Sequence, residues 1–343
     1  MKVKTAILGV TGAVGQEFLK LLVERDFPLE SLKVLASARS AGKTVEFKGQ
    51  TLTIEEATPE AFDGVELVLS SAGGSVSKKL VPEAVKRGAV VVDNTSAFRM
   101  DEGVPLIVPE VNRHVLKEHR GIIANPNCST IIMVLPLKPL HDRWGVRRVI
   151  CSTYQAVSGA GWTGIRELEQ QVADLAAGRE PKIEVFPQQI AYNAIPRIPQ
   201  SGGVFDDGYL HEEVKMIKET VKIFGDESIH VTATCVRIPV IRCHSETLNV
   251  ELVKPFTLDE VREALAGAEG VTVQDDVANN VYPVPLACSF LDDVFVGRLR
   301  VDNTLPQAVN MWICGDQIKK GAALNAIQIA EDLIRQDLVR VPA

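Results

Sequence analysis

The 343-residue chain is 46% hydrophobic and 24% charged, with a formal net charge of −7. This is an ordinary globular balance, with apolar material for two cores at ~150 residues each. The charge is spread along the chain and offers no basic stripe for a nucleic-acid backbone. No run approaches the ~20 apolar residues of a membrane span, and the first strand lacks the features of a secretory signal, so a cytoplasmic protein with neither a membrane nor a nucleic-acid partner is expected.

In chain order, an apolar strand at 3–8 runs into glycines, and Val14, Phe18, Leu21 and Leu22 follow at helical spacing. Strand-like runs at 32–36, 65–70, 89–93 and 121–124, with a helical stretch near 79–87, continue the alternation. Such alternation predicts a parallel sheet with helices on both faces. Beyond about residue 145 the runs at 146–157, 230–240, 247–253, 271–274, 294–301 and 311–314 are β-rich, with helices at 165–177, 212–224 and 258–266. This second pattern predicts a mixed sheet with helices on one face. Residues 321–335 form an amphipathic helix, and Pro136 and Pro139 suggest a hinge. The fold class is therefore α/β: a Rossmann-type dinucleotide-binding domain plus an α+β domain.

Gly9-Val10-Thr11-Gly12-Ala13-Val14-Gly15 stands between the first strand and the first helix. Glycines there let the backbone approach a pyrophosphate, whose charge meets the helix N-terminus. After the second strand the chain offers Ser37-Ala38-Arg39-Ser40, with no carboxylate. An NAD enzyme usually presents an acid at this point to hold the ribose hydroxyl, whereas Arg39 and the hydroxyls of Ser37 and Ser40 suit a 2′-phosphate, so NADP(H) is expected.

The six cysteines, at 128, 151, 235, 243, 288 and 314, have no zinc-type spacing, and no metal is expected. Five of them read as reduced, buried thiols. Cys128 differs: Asn125-Pro126-Asn127-Cys128-Ser129-Thr130 follows a strand and precedes the apolar run 131–135. A thiol at a helix N-terminus is stabilised as thiolate, and the free amides there can hold an oxyanion. It needs an acid or base nearby, and pattern alone does not select one among six histidines; His244 lies between two strands of the second domain.

Asn125–Thr130 resembles the active-site signature of the aspartate-semialdehyde dehydrogenase family. The similarity extends through 92–100, 108–112, 153–161 and 320–326, motifs in the same order over essentially the whole chain. The resemblance implies NADPH-dependent reductive dephosphorylation of L-aspartyl 4-phosphate to L-aspartate 4-semialdehyde through a Cys128 thioester, in the biosynthesis of lysine, diaminopimelate, threonine, methionine and isoleucine. It implies His244 as the acid/base and Gln155 as the group that orients the acyl carbon. Arg237 would clamp the substrate carboxylate, Arg99 and Lys215 would hold the phosphate, and Glu212 would meet the ammonium or position its neighbours. Taken alone, Glu212 and Lys215 are only an exposed helical ion pair worth little. The cofactor would be lined by the glycine loop together with Ser71, Gly73, Asn94, Ser158, Gly159 and Gln317.

The family further implies a dinucleotide domain over 1–128 completed by a C-terminal helix at 320–343, a catalytic and dimerisation domain over 129–319, and a homodimer that can pair into a tetramer. Two positions depart from its pattern: Cys243 replaces a glycine before the histidine, and Gln317 stands where many relatives have asparagine. The alternatives are a reductase of the N-acetyl-glutamyl-phosphate or malonyl-CoA type. A catalytically dead paralogue is disfavoured, because Cys128, Gln155, Arg237 and His244 are all present.

Overall fold

The computed structural model describes residues 1–198, 204–205 and 207–342. The chain divides into two compact units, Met1–Asn127 with Ala322–Ala343, and Cys128–Gly321. Among the described residues no helix is long and apolar enough to cross a membrane.

The first unit contains β1 (Val3–Leu8), α1 (Ala13–Glu24), β2 (Leu29–Ala36), β3 (Thr44–Phe47), β4 (Gln50–Thr53), β5 (Glu55–Glu56), β6 (Leu67–Ser70), α2 (Gly74–Lys86), β7 (Val90–Asp93), α3 (Pro109–Asn112) and β8 (Ile122–Ala124). Its sheet runs β5-β2-β1-β6-β7-β8 with every neighbouring pair parallel. Strand order reverses at β1, so a crevice opens beyond its carboxyl end, which is where open α/β sheets bind ligands. Strands β6 and β7 are buried at every position, as apolar runs covered on both faces require.

Alternate residues of β1 feed separate cores. Ile7 packs with Phe18, Leu22, Leu69 and Val92 and with Leu324, Ile327 and Leu333 of the C-terminal segment. Ala6 and Leu8 pack with Val68, Val91 and, from α2, Leu80, Val81 and Ala84. Both faces are thus covered, as the strand–helix alternation predicts.

The second unit contains α4 (Cys128–Trp144), β9 (Val146–Gln155), α5 (Gly161–Ala176), α6 (His211–Phe224), β10 (His230–Arg237), β11 (His244–Leu252), α7 (Leu258–Ala266), β12 (Val271–Val273), α8 (Pro285–Cys288), β13 (Val294–Val301) and β14 (Ala308–Gly315); α9 (Leu324–Arg335) belongs to the first unit. The sheet order is β10-β9-β11-β14-β13-β12, with parallel pairs at the two edges and antiparallel pairs between. Helix α4 packs against β9, β11, β13 and β14 and against α6 and α7. Along β11, His244, Glu246, Leu248, Val250 and Leu252 are buried, while Thr247, Asn249 and Glu251 are half-buried, so the period of two separates a helix-covered face from an open one.

The hinge expected at Pro136 and Pro139 is not found: both lie inside α4. Each proline costs a helix ~3 kcal/mol through its missing N–H and ring clash. Ile131, Ile132, Met133, Val134, Leu135, Leu137 and Leu140 are all at most 2% exposed. At ~1.5–3 kcal/mol per buried side chain, their burial outweighs two prolines.

Candidate active site

Register brings the reacting groups of the second unit to one end of its sheet. Gln155 ends β9, its parallel partner Arg237 ends β10, and antiparallel β11 begins there with His244. Helix α4 opens at that end with Cys128, so the sulfur sits where first-turn amides lack intrahelical acceptors and the dipole is positive. Its Sγ lies 3.5 Å from Nε2 of His244. Gly321 backs the thiol, since a Cβ added there would stand 3.0 Å from the Cβ of Cys128.

His244 is buried, and its Nδ1 accepts the Ala156 amide at 3.0 Å. Burial, then the neighbouring Arg237 guanidinium, pulls the imidazole down to about 3, with Glu212 opposing. It is therefore neutral at physiological pH. Gln155 Nε2 donates to Ser129 Oγ and, at 3.3 Å, to Glu212 Oε1, while the other carboxylate oxygen of Glu212 takes Lys215 Nζ at 3.1 Å. Arg237 is 3% exposed and donates through Nη1 to Ala156 O at 2.5 Å. Gly159 makes room for it: a Cβ there would lie 2.8 Å from that Nη1. Cys128, His244, Gln155, Arg237, Glu212 and Lys215, scattered over more than a hundred residues of sequence, thus form one connected cluster.

Gln317 has both of its amide groups engaged within this unit. Its Oε1 accepts the Cys243 amide at 2.8 Å and its Nε2 donates to Ser158 Oγ, which donates in turn to Ile241 O. These bonds brace the turn ahead of His244, in which Cys243 holds φ +75, a conformation that explains why glycine would also suit the position. Asp316 braces the same turn by accepting Arg242 Nε at 2.5 Å, and the Arg242 guanidinium lies 4.0 Å from the ring centroid of Phe290. The Cys243 thiol is buried and hydrogen-bonded with those of Cys288 and Cys314, which pushes it well up. That direction favours the protonated thiol, the poorer nucleophile. All six cysteines are free thiols, and only Cys128 is not buried.

The first unit holds a cavity of about 600 Å³ beyond the carboxyl end of β1, lined by Gly9, Thr11, Gly12, Ser37, Ala38 and Ser71 among others. The loop is built for close approach. A Cβ at Gly9, where φ is +94, would stand 2.7 Å from Ser71 O, and one at Gly15 only 2.3 Å from Gly9 O. Gly12 is different, with nothing nearer than 3.5 Å, so its missing side chain leaves space open to a ligand. A cradle of this kind fits a dinucleotide pyrophosphate at the start of α1. Arg39 is exposed and Ser40 buried just past β2. Glu56, Ser75 and Lys79 also line the cavity and were not expected from sequence, since they come from β5 and α2 rather than from the glycine motif.

Asn94 and Arg99 belong to this unit too. Arg99 is buried and donates to Asn125 O at 2.9 Å and Asn94 O at 3.0 Å. Asn125 links the strand ends: its Nδ2 donates to Asn94 Oδ1 at 2.6 Å, and its Oδ1 accepts Asn325 Nδ2 at 2.6 Å. Among the described residues no group of three or more His, Cys, Asp or Glu could hold a metal ion.

Residues 4–119 match the family model "Semialdehyde dehydrogenase, NAD binding domain", and residues 137–320 match "Semialdehyde dehydrogenase, dimerisation domain". The aspartate-semialdehyde dehydrogenase of Aquifex aeolicus (strain VF5) is 50% identical over 343 residues, 99% of this chain and 100% of its own. The chain belongs to the aspartate-semialdehyde dehydrogenase family. Among solved structures, the Vibrio cholerae aspartate semialdehyde dehydrogenase II complexed with ASA is 44% identical with a TM-score of 0.94, covering 98% of this chain and 99% of that one. A Candida albicans aspartate semialdehyde dehydrogenase with NADP is 26% identical with a TM-score of 0.77, covering 98% and 100%. A nicotinamide dinucleotide-binding domain followed by a mixed-sheet domain is the architecture of this family of oxidoreductases, and this chain has it.

Proposed function

We propose that the chain catalyses the reversible, NADP-dependent interconversion of L-aspartyl 4-phosphate and L-aspartate 4-semialdehyde. The observation that carries this reading is the connected cluster Cys128, His244, Gln155, Arg237, Glu212 and Lys215, in a chain half identical to enzymes of that activity. The Vibrio cholerae relative complexed with ASA, which we take as the semialdehyde, supports the same substrate. Nothing in the cluster favours an acylated amine or a CoA thioester.

In this reading the Cys128 thiolate attacks the acyl phosphate, the bond from carbon to the phosphate oxygen breaks, and phosphate leaves with its electron pair. NADPH, when bound along the glycine loop with Arg39, Ser37 and Ser40 at the 2′-phosphate, supplies the hydride that reduces the thioester. Gln155 orients the acyl carbon against the sulfur. Arg237 forks onto the substrate carboxylate as only a guanidinium can, Glu212 meets the ammonium, and Lys215 and Arg99 take the phosphate. Ser158 and Gly159 border the reacting end, and Gln317 holds the turn that carries His244. The dimerisation model over 137–320 and the exposed Tyr282, Leu286 and Phe290 support a homodimer built on the second unit.

The test is reduction of NADP by the purified protein with L-aspartate 4-semialdehyde, with and without inorganic phosphate. Phosphate-dependent absorbance at the nicotinamide band is the expected result. Turnover only with N-acetyl-glutamate semialdehyde, or only with malonate semialdehyde and CoA, would overturn the named substrate.

A further inference from the structure

Gln155 is buried at the end of β9, and its amide is held by the nitrogen alone. Nε2 donates to Ser129 Oγ and, at 3.3 Å, to Glu212 Oε1. Oε1 is buried with no hydrogen-bond partner among the described residues. A glutamine side chain turns about several single bonds, and its amide can present either end. The two bonds from Nε2 therefore decide where this group sits.

The two partners do different jobs. Glu212 is salt-bridged to Lys215 at 3.1 Å, and a carboxylate only accepts, so the NH2 end of the amide must face it. A hydroxyl can meet either end, so Ser129 does not choose the sense. It supplies the closer contact: 3.3 Å is long for an N–H···O bond, and Glu212 is shared with Lys215. Glu212 sets which way the amide points, and Ser129 sets where it stands.

Ser129 is wholly buried in the first turn of α4, one residue after Cys128. Its oxygen has two lone pairs and can accept from Gln155 whatever its own proton does. The thiol and the hydroxyl hang from neighbouring residues of one helix, whose geometry fixes the spacing of their backbones. An amide docked on Ser129 is therefore placed by the helix that carries the thiol, and not only by its own strand.

We propose that Ser129 is a positioning residue for the reaction: its hydroxyl holds the Gln155 amide in place relative to the Cys128 thiol, so that Gln155 can orient the acyl carbon. The inference rests on the role given to Gln155 in the proposed function. The competing account is that the hydroxyl serves only the start of α4. Ser129→Ala separates the two, because alanine keeps the backbone amide of the first turn and is the best helix former.

The test is a double-mutant cycle on kcat with Ser129→Ala, Gln155→Ala and the double variant. Ser129→Ala should lower kcat by ~10–100-fold, the cost of misplacing a group that orients the reacting atoms. The aldehyde KM should move by less than ~3-fold. In the Gln155→Ala background the same serine change should cost no more than ~2-fold, because a residue that acts only through Gln155 has nothing left to hold. Ser129→Thr restores a hydroxyl and should return kcat to within ~3-fold of the parent enzyme. An undiminished loss in the Gln155→Ala background, or parent kcat in Ser129→Ala, overturns the proposal. A Ser129→Thr enzyme with the parent Tm but the kcat of Ser129→Ala would also contradict it.

A crystal structure of the free Ser129→Ala enzyme supplies the second readout. The Gln155 amide should leave its place or occupy more than one position, whereas an amide unmoved from its place in the parent enzyme overturns the proposal. This readout needs no substrate, and the cycle is run with whichever aldehyde the parent enzyme turns over. Failure of L-aspartate 4-semialdehyde as a substrate is thus distinguishable from failure of the role assigned to Ser129.

Discussion

Sγ of Cys128 and Nε2 of His244 lie 3.5 Å apart, on residues 116 positions distant in sequence. The contact exists because α4 begins at the end of the sheet where β11 also begins. Both residues belong to the second unit, whereas the glycine cradle belongs to the first. Cys128→Ala should therefore abolish turnover and leave NADP binding largely intact, as measured by fluorescence titration of the cofactor. Retained turnover would remove Cys128 from the mechanism.

Arg237 is held at 3% exposure with one donor on Ala156 O, and Gly159 leaves no room for a bulkier neighbour. A lysine offers a point charge in place of the planar fork. Losing one charge-assisted hydrogen bond of ~1.5–3 kcal/mol predicts that Arg237→Lys raises the aldehyde KM by ~10–100-fold. Steady-state kinetics matching the parent enzyme would show that the carboxylate is bound elsewhere.

Gly12 and Gly15 share a motif but not a role. A Cβ at Gly15 collides with Gly9 O at 2.3 Å, whereas at Gly12 the nearest atom is 3.5 Å away. Gly15→Ala should cost ~1–3 kcal/mol of stability and lower the cofactor-free Tm by several degrees. Gly12→Ala should leave that Tm nearly unchanged and weaken dinucleotide binding. Thermal unfolding without cofactor separates the two, and an equal loss in both would contradict the division.

Glu246 lies wholly buried on β11, two residues from His244, and burial holds its carboxyl well above the ordinary carboxylate range. The folded state therefore keeps a proton that the unfolded state releases above ~4.3. Stability from this group is full below that value and is lost as pH rises toward the folded pKa, by up to ~1.4 kcal/mol per pH unit. Glu246→Gln removes the dependence, so its Tm relative to the parent should be higher near pH 8 than near pH 5. A difference that does not change with pH would mean that Glu246 is ionised in the fold.

Much of this was legible in the sequence because it is periodic or local. The buried strands β6 and β7 appear as continuous apolar runs, and the glycine loop announces itself between β1 and α1. The helix expected over 258–266 forms at those residues, and in the structure Thr257 and Glu260 make a capping box at its start. Pro136 and Pro139 misled because single-residue propensity cannot see that α4 is packed by two helices and four strands.

The site was legible chiefly through motif resemblance. Spacing alone could not pair Cys128 with His244, since that contact depends on sheet register. The Ala156 amide and the bracing role of Gln317 left no trace in residue type, because the first is backbone and the second depends on where a turn folds back. Glu56 and Lys79 reach the dinucleotide cavity from elements outside the motif, and only the tertiary fold brings them there.

The most direct test of the thioester reading is to mix the enzyme with L-aspartate 4-semialdehyde and NADP in the absence of phosphate and to analyse the protein by mass spectrometry. An aspartyl group should be found on the peptide that contains Cys128, and adding phosphate should release it. An unmodified Cys128 under conditions in which NADP is reduced, or an acyl group on any other residue, would contradict the mechanism.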